Sequence, residues 1–414
     1  MTMQHVTGLV CVKCGRRYGV SVPYTCADCG LEGILDITYD YKEVARTLDR
    51  ASLERREPWL WRYKELLPID EFAELPNLQV GMTPVYGAPR LAEWMGLAGL
   101  WLKDDGRNPT ASYKDRASCV GVVKAKEQGR TVIAAASTGN AASSLAGFSA
   151  AMGLTSIIFV PERAPEPKVA QLLIFGANVI KVKGNYDETW LFCQAACEKY
   201  GWYNRNCAVN PYLVEGKKTC GLEIGEQLAE RMPDWVVASV GDGCTLAGIH
   251  KGLKEMQLLG ICKTVPKLLG VQAEGASPLT TSWKTRQDVV TSPAETLADS
   301  ICVGAPRNWR KARNAVDESK GAFINVTDES ILDAMRETAR RAAVFGEPAA
   351  AAAVAGLKRA VAEGVVQRNE TALVVITGSG LKDVKSAIAA TRPPLLLPPD
   401  LGVLDRELKA LGLA

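Results

Sequence analysis

A lysine lies where a helix is predicted to begin, in the segment NPTASYKDR at residues 108–116. Pro109 and Thr110, followed by the run ASCVGVVKAKEQG, predict a loop that ends at a helix N-terminus close to Lys114. The positive end of the helix dipole disfavours a cation there and relatively favours the neutral amine. Lys114 is therefore either a solvated surface lysine or a nucleophile.

Two glycine-containing loops follow predicted strands, and both suit anions. The loop STGNAAS, residues 137–143, places Ser137, Thr138 and Asn140 at a helix N-terminus, where hydroxyl and backbone N–H groups suit a carboxylate or another small anion. The loop VGDGCTLAG, residues 240–248, has Gly-x-Gly between a strand and a helix, an arrangement typical of a phosphate cradle. Neither loop by itself is specific for an anion site. The alternative is an ordinary capping loop for residues 137–143 and a tight turn for residues 240–248.

A third loop, VITGSGLKD at residues 375–383, places the hydroxyl of Thr377 or Ser379 at a strand end, with a simple turn as the alternative. A lysine at a helix start, a phosphate cradle, a carboxylate-binding loop and a hydroxyl are together the groups that a pyridoxal phosphate enzyme needs. The lysine supplies a Schiff base, and the pyridine ring is the electron sink. A hydroxyl at the ring nitrogen, instead of an aspartate, leaves the ring less fully protonated and suits elimination and replacement chemistry.

Four cysteines near the N-terminus have the spacing of a metal ribbon. Cys11, Cys14, Cys26 and Cys29 form C-x2-C-x11-C-x2-C, and a glycine follows each pair. Such spacing aims four thiolates at one tetrahedral ion, and zinc is the usual one. Four thiolates leave no open position, so the ion would be structural. The alternative is a set of reduced thiols or a pair that oxidises.

Composition excludes several classes of function. The 414 residues include 49 basic and 46 acidic side chains with a net charge of +3, which gives no case for nucleic acid or an anionic membrane as partner. No segment approaches the roughly 18 apolar residues of a membrane span, and the N-terminal segment lacks a signal-peptide pattern. The 12 cysteines are then mostly reduced thiols of a cytoplasmic protein. Because only His5 and His250 are present, a catalytic base must be another group.

Strands and helices alternate from about residue 80 onward, and these elements position the loops. The pattern predicts an α/β fold whose parallel sheets are covered on both faces. The tail at 391–414 starts Pro-rich and predicts an extended arm with a short final helix. Cys119, Cys193, Cys197 and Cys220 are predicted core residues. The predicted strands are 131–137, 155–161, 178–184, 235–241, 267–275 and 371–380, and the predicted helices are 168–176, 187–200, 245–256, 328–344 and an Ala-rich run that ends at Met152.

The motifs resemble those of fold-type II pyridoxal phosphate enzymes, and of threonine synthases in particular. The resemblance implies two parallel-sheet α/β domains with a small N-terminal four-cysteine ribbon, in a homodimer. It implies a ribbon at 1–40, a large cofactor-binding domain at 41–114 and 205–392, a smaller domain at 115–204, and an arm at 393–414. It covers nearly the whole chain and rests on NPTASYKDRAS (108–118), VGMTPVY (80–86), STGN (137–140), NPYLVEGKKT (210–219), EPAAAAAVAGL (347–357) and TGSGLKD (377–383).

The resemblance also implies a role for individual residues. Lys114 carries the cofactor as a Schiff base and is the catalytic base. Asn140 donates a hydrogen bond to the ring hydroxyl, and Thr377 faces the ring nitrogen. The cofactor phosphate is cradled by Gly241, Asp242, Gly243, Cys244 and Thr245. The substrate side consists of Ser137, Thr138, Ala141 and Lys217, with the loop at Thr138 holding the substrate carboxylate.

Several positions depart from the threonine synthase motifs. Family members commonly have threonine at Ala141, an Asn-Ser pair at 207–208 (here Cys207 and Ala208), arginine at Leu213 and glutamine at Lys217. A buried phosphate dianion without donors is strongly unfavourable. The candidates to replace the missing donors are Lys217, Lys218 and Lys168, while Cys207 and Cys244 lie close to the inferred site.

Three functions remain open on this basis. The first is a threonine synthase, which releases phosphate from O-phosphohomoserine and adds water at the β carbon. The second is β-elimination or β-replacement on another amino acid, by a serine or threonine dehydratase or by an O-phosphoserine-dependent synthase such as cysteate synthase, and the changed substrate side favours it. The third is a non-catalytic binding protein, against which the persistence of Lys114, Asn140 and the glycine loop counts.

Overall fold

The computed structural model describes residues 3, 5–20, 24–206 and 208–413, so Cys207 lies outside the described residues. The strands are β1 (Val6–Cys11), β2 (Arg17–Tyr18), β3 (Leu35–Tyr39), β4 (Val85–Gly87), β5 (Gly99–Asp104), β6 (Val132–Ala136), β7 (Thr155–Pro161), β8 (Asn178–Val182), β9 (Tyr203–Asn204), β10 (Trp235–Ser239), β11 (Lys267–Ala273), β12 (Ala322–Val326) and β13 (Thr371–Ile376).

The α-helices alternate with these strands along most of the chain. They are α1 (Tyr41–Val44), α2 (Arg50–Glu54), α3 (Pro89–Met95), α4 (Lys114–Glu127), α5 (Asn140–Ala151), α6 (Glu166–Ile174), α7 (Tyr186–Tyr200), α8 (Tyr212–Gln227), α9 (Cys244–Leu258), α10 (Pro278–Thr285), α11 (Trp309–Glu318), α12 (Asp328–Ala342), α13 (Pro348–Ala362), α14 (Val384–Ala389) and α15 (Leu401–Ala410).

The larger sheet has six strands in the order β12-β11-β10-β13-β5-β4. All its neighbouring pairs are parallel except β4 and β5. The buried apolar side chains of β10, β11 and β13 explain why the sequence predicts these strands. The strands β4, β5 and β12 of this sheet were not predicted. In β5 the charged Lys103 interrupts the apolar pattern, and it is buried because its Nζ lies 2.8 Å from Glu223 Oε2.

The smaller sheet has four parallel strands in the order β8-β7-β6-β9. The strands predicted at 131–137, 155–161 and 178–184 are confirmed as β6, β7 and β8, with ends that differ by up to two residues. The predicted residues beyond β6 and β8 belong to the following loops, because an apolar run does not mark where pairing stops. Two parallel sheets flanked by helices confirm the predicted α/β class.

A third, antiparallel sheet of order β2-β1-β3 carries the first cysteine pair at the end of β1. It packs on the rest of the chain through β3. The hydroxyl of Tyr39 donates to Glu215 Oε2 at 2.7 Å, and Lys251 Nζ donates to the carbonyl of Ile37 at 2.6 Å. The ribbon is therefore docked on α8 and α9 by buried polar contacts as well as by apolar ones.

Helices α8 and α9 approach each other closely at glycines. A Cβ at Gly221 would lie 2.1 Å from the carbonyl oxygen of Ile249, and a Cβ at Gly252 would lie 2.2 Å from that of Lys218. Glycine is therefore required where these backbones meet. This packing sets the N-terminus of α9 beside Lys217 of α8, at the end of the larger sheet.

The tail and the buried cysteines agree with their predictions. Residues 391–400 contain no helix or strand, and α15 follows with no buried residue. Cys119, Cys193, Cys197 and Cys220 are all buried. Among the described residues, no helix has both the length and the apolar character that a membrane crossing requires.

Candidate active site

Two adjoining cavities lie at the carboxyl ends of strands from both parallel sheets, where ligands bind in open α/β folds. They share the lining residues Lys114, Asp242, Ser300 and Val303. The smaller cavity is lined also by residues 239–241 and 243–245, Lys217, Ile301, Ala349 and Thr377. The larger has a volume of about 440 Å³ and is lined also by residues 135–141, Tyr186, Asp187, Trp190, Arg205, Asn206, residues 291–294, Asp299, Cys302, residues 304–305 and Arg307.

Lys114 is the first residue of α4, as predicted, and backbone hydrogen bonds pin the preceding loop to the end of β13. The N–H of Tyr113 donates to the carbonyl of Thr377 at 2.8 Å, and the N–H of Ser379 donates to that of Ala111 at 3.0 Å. The loop therefore carries Lys114 into the same cavity as Thr377. Ser379, the other hydroxyl considered, accepts from the N–H of Leu381 at the start of a short helical turn.

The first turn of α4 is anchored by a buried ionic network. Arg116 donates from Nε to Asp105 Oδ2 at 2.6 Å and from Nη2 to Glu223 Oε2 at 2.8 Å. Burial by itself would raise the pKa of Glu223, but the charges of Arg116 and Lys103 outweigh it and lower that pKa to about 2. The network fixes α4 two residues beyond Lys114, so the lysine is held by a rigid element.

Asn140 is the first residue of α5, and its side chain is oriented by a buried carboxylate. The Nδ2 atom of Asn140 donates to Glu347 Oε1 at 2.7 Å. Burial raises the pKa of Glu347, while the hydrogen bond from Asn140 and the charge of Lys114 oppose the rise. An amide nitrogen carries two hydrogens, and the second one of Asn140 makes only a long contact of 3.5 Å with Ser300 Oγ, which a better acceptor could replace.

The glycine loop between β10 and α9 has the shape of an anion cradle. Gly243 adopts a φ of +90° at the N-terminus of α9, a conformation that L side chains rarely adopt, and a Cβ there would lie 2.7 Å from that of Ala312. The Asp242 carboxylate accepts from the N–H of Arg307 at 3.1 Å. The first N–H groups of α9 point out of the helix, where the dipole favours a phosphate.

The predicted substrate residues separate between the two cavities. Ser137, Thr138 and Ala141 line the larger cavity. Lys217 lines the smaller cavity beside the glycine loop instead. Leu213 is fully buried.

The other candidate donors are engaged elsewhere. Lys218 lies buried between Glu215 and Glu255, at 2.6 and 2.9 Å. Lys168 pairs with Asp299 and lines a small cavity that shares residues 138–140, Asp299 and Ser300 with the larger one. Neither histidine lines the two main cavities within the described part of the chain.

Three residues of this region were missed by the sequence reasoning. Glu347 lies inside the quoted motif EPAAAAAVAGL, but nothing local shows that it reaches Asn140. Arg205 and Arg307 line the larger cavity. Arg307 belongs to the basic run RNWRKAR, which has the pattern of a solvated surface.

Comparison with known proteins agrees with this geometry. The family model described as "Pyridoxal-phosphate dependent enzyme" matches residues 77–378. The chain belongs to this family. It is 40% identical over 405 residues to the threonine synthase of Methanocaldococcus jannaschii, covering 97% of this chain and 99% of that one. It is 39% identical to the threonine synthase of Methanosarcina acetivorans, covering 94% and 95%.

Solved structures show the same fold. A threonine deaminase from Solanum lycopersicum superposes with a TM-score of 0.64 at 22% identity, covering 75% of this chain and 87% of that one. A serine racemase from maize gives a TM-score of 0.63 at 22% identity, covering 80% and 92%. This member of the pyridoxal-phosphate-dependent family is therefore a threonine synthase-like lyase with the fold-type II architecture.

The donor set of the smaller cavity fits pyridoxal phosphate, the family's cofactor. An amine at a helix start, a glycine loop at a helix N-terminus and a hydroxyl at a strand end correspond to its aldehyde, phosphate and ring nitrogen. The amide of Asn140 lines the adjoining cavity, next to Lys114.

Proposed function

We propose that this protein is a threonine synthase, which converts O-phosphohomoserine and water to threonine and phosphate. The observation that carries the proposal is the grouping of Lys114, Thr377 and the glycine loop in one cavity that adjoins a larger, substrate-sized one. The identity to two archaeal threonine synthases along nearly their whole length supports it.

When bound, pyridoxal phosphate supplies an electron sink for proton removal beside the amino group and for loss of the leaving group. The chain's own residues bind the cofactor and move protons. The proposed cradle for the phosphate is Gly241, Asp242, Gly243, Cys244 and Thr245, and Lys217 adds a positive charge on that side. Thr377 Oγ1 would hydrogen-bond the ring nitrogen, and the second hydrogen of Asn140 Nδ2 would be donated to the ring hydroxyl.

Lys114 is the proposed proton carrier. It lines both cavities, so its Nζ can serve the cofactor side and the substrate side. Its amine would hold the aldehyde of the cofactor, and once released it would remove and return protons at the substrate α and β carbons. The substrate carboxylate binds to Ser137 and Thr138 at the N-terminus of α5, where hydroxyl and N–H groups converge.

A second function is favoured by the apolar residues at two positions on the substrate side. Ala141 lines the larger cavity without a polar group, and the buried Leu213 stands where related enzymes commonly have arginine. Both changes suit a substrate with a smaller or less charged leaving group. The alternative is therefore β-elimination or β-replacement on another amino acid, such as dehydration of serine or threonine or the replacement reaction of an O-phosphoserine-dependent synthase.

One experiment separates these functions. Purified holoprotein is incubated with O-phosphohomoserine, and phosphate and threonine are measured in the same sample. Equal amounts of both products are expected from wild type and from the surface variant Lys126→Ala, and none from Lys114→Ala. Wild-type holoprotein that retains its cofactor absorbance but yields neither product would contradict the threonine synthase proposal, and serine and threonine would then be tested for release of a keto acid.

We also propose that the four ribbon cysteines bind one structural zinc. Their sulfur atoms all lie within 4.8 Å of one another, and the Cys14 and Cys26 sulfurs are 3.8 Å apart. Tetrahedral zinc with bonds of about 2.3 Å has sulfur–sulfur edges of about 3.8 Å. Two matching turns support the fit, since Gly15 N–H donates to the carbonyl of Cys11 and Gly30 N–H to that of Cys26, both at 2.9 Å.

The remaining proposals concern the whole protein. We propose a cytoplasmic homodimer without nucleic-acid or membrane partners. Its role in amino-acid biosynthesis is supported by its identity to threonine synthases. Exposed apolar side chains near the C-terminal arm, among them Leu381, Ile388 and Leu396, support self-association. Domain boundaries at 41–114 with 205–392 and at 115–204 accord with the two parallel sheets. Light scattering after size-exclusion chromatography tests the dimer.

A further inference from the structure

Two arginines line the larger cavity, and neither lies in the motifs that resemble threonine synthases. Arg205 directly follows β9, and its N–H donates to the carbonyl of Ala134 at 2.8 Å. Its Nη2 atom donates to Ser118 Oγ at 3.1 Å, so the side chain lies buried beneath the cavity surface. Arg307 lies in the long connection between α10 and α11, whose turns form the outer part of the lining.

The guanidinium group of Arg307 is held by stacking. Its central carbon lies 4.2 Å from the centroid of the Trp190 ring, and Trp190 also lines the cavity. The carboxylate oxygens of Asp187 and Asp242 are each 3.9 Å from its nitrogen atoms, which is beyond direct hydrogen-bond distance. A guanidinium stacked on an aromatic ring presents its N–H edge in a fixed plane, the arrangement that binds phosphate with two parallel hydrogen bonds.

Three acidic side chains, Asp187, Asp242 and Asp299, line the same cavity as Arg307. The Asp187 side chain is 73% exposed, so water and salt screen it. Asp242 accepts a hydrogen bond from the backbone N–H of Arg307 and lies 3.9 Å from its guanidinium, and Asp299 forms an ion pair with Lys168. Because neither Asp187 nor Asp242 bonds the guanidinium directly, its N–H groups can donate to a phosphate in the cavity, in competition with these two longer ion pairs.

The proposed substrate has two anionic ends. The carboxylate is assigned to the loop at Ser137 and Thr138, which leaves the phosphate without donors at Ala141 and Leu213. A phosphate dianion in a partly enclosed cavity needs charge-assisted hydrogen bonds. We propose that Arg307, supported by Arg205 in the same cavity, binds the phosphate of the substrate. This inference rests on the proposed function, since it names the group that binds the substrate's leaving phosphate.

A pair of matched ligands tests the assignment without turnover. 2-Amino-5-phosphonopentanoate carries a phosphonate in place of the phosphate ester, and norvaline is the same amino acid without that group. Their dissociation constants are measured with holoprotein from the change in cofactor absorbance. Loss of one charge-assisted pair is expected to weaken phosphonate binding by Arg307→Gln about 10- to 100-fold, with norvaline binding unchanged.

Two further variants separate recognition from structure. Arg307→Lys keeps the charge and is expected to recover part of the phosphonate affinity. Arg310→Gln is the control, because Arg310 also stacks on a tryptophan, Trp309, and pairs with Asp288, but it lies outside the cavity lining in the described residues. Its dissociation constants should equal those of wild type. A residue that only holds the fold would change the affinity for both ligands together.

The outcomes distinguish this inference from the proposed function. Turnover of O-phosphohomoserine by wild type with unchanged phosphonate binding in Arg307→Gln would overturn the inference and leave the function standing. Selective loss of phosphonate binding in a protein that does not turn over O-phosphohomoserine would support the anion site and reject the substrate. Wild type that binds the phosphonate no better than norvaline would overturn the inference.

Discussion

At the scale of single residues, Glu347 is the group that orients Asn140. Its Oε1 atom accepts one amide hydrogen of Asn140 at 2.7 Å, which directs the other hydrogen toward a second acceptor. The same carboxylate is buried, and burial raises its pKa. One side chain therefore connects cofactor binding with the pH dependence of stability.

Replacement of Glu347 tests this role. Glu347→Leu removes the acceptor and should weaken pyridoxal phosphate binding by about 1–3 kcal/mol, the cost of a lost buried hydrogen bond. Glu347→Gln keeps an acceptor oxygen and should bind the cofactor almost as wild type does. The dissociation constant of pyridoxal phosphate, titrated by absorbance, is the measurement. Equal weakening in both variants would show that the charge matters more than the orientation.

The raised pKa of Glu347 also predicts the direction in which stability changes with pH. The folded protein holds this proton to higher pH than the unfolded chain, so wild type loses stability as pH rises above the ordinary carboxyl range. Glu347→Gln removes the titrating carboxyl group, and with it the free-energy cost of ionising that group in a buried position. Its free energy of unfolding relative to wild type should therefore increase with pH across that range, and a difference that falls with pH would reject the assignment.

At the scale of elements, the position of Lys114 depends on how α4 is anchored. Arg116 joins Asp105 beyond β5 to Glu223 on α8, with all three side chains buried. A buried carboxylate that loses its partner is left uncompensated, at a cost of about 3–5 kcal/mol. The network therefore stabilises the fold only while all its members are present, and removal of one member destabilises the fold because it leaves a buried charge uncompensated.

Arg116→Met should lower the free energy of unfolding by about 3–5 kcal/mol near neutral pH. Lys126→Met is the control on the same helix, because its ion pair with Glu74 is exposed and contributes at most about 1 kcal/mol. Urea unfolding of the holoproteins, followed by tryptophan fluorescence, measures both. A loss in Arg116→Met no larger than in Lys126→Met would show that the network is not what anchors α4.

The pKa of Glu223 gives the acid limit of the same network. It is about 2 in the folded protein, against an ordinary value of 4.5. The stabilisation is complete above the ordinary value and is lost as pH falls from about 4.5 toward about 2. In Arg116→Met this component of acid unfolding should be smaller but still present, because Lys103 remains 2.8 Å from Glu223.

At the scale of the whole molecule, the ribbon is joined to the two-sheet body by β3. Lys311 Nζ donates to the carbonyl of Leu35 at 2.9 Å and to Asp36 Oδ1 at 2.7 Å. Together with Tyr39 and Lys251, these contacts place the ribbon against α8, α9 and α11. Loss of a metal there is expected to reach beyond the ribbon, because the surface it covers would become exposed.

Metal analysis should give about one zinc per chain, and Cys14→Ser should lower both the zinc content and the melting temperature. Cys262→Ser is the control, since Cys262 is a buried cysteine outside the four-sulfur cluster. It should retain the zinc. A wild-type protein that is stable and free of metal after purification without chelators would contradict the zinc proposal and leave the cysteines as packing residues.

Local signals in the sequence were sufficient for the fold class, for Lys114 at the start of α4, for the strand-to-helix loops and for the cysteine spacing. Each of these depends on neighbours within a few residues, because hydrophobic periodicity, helix capping and turn chemistry act over that distance. The cysteine turns are an example, since Gly15 and Gly30 complete them within four residues.

Only the tertiary structure decided which distant side chains meet. Asn140 and Glu347 are separated by 207 positions, and Arg307 stacks on Trp190 from another part of the chain. The structure also turned Lys217 toward the cofactor side and buried Lys218 in an ionic network, although the two are adjacent in sequence. Such choices follow from how α4, α8 and α9 pack against the sheets, and no local pattern encodes the direction in which a helix presents each side chain to a cavity.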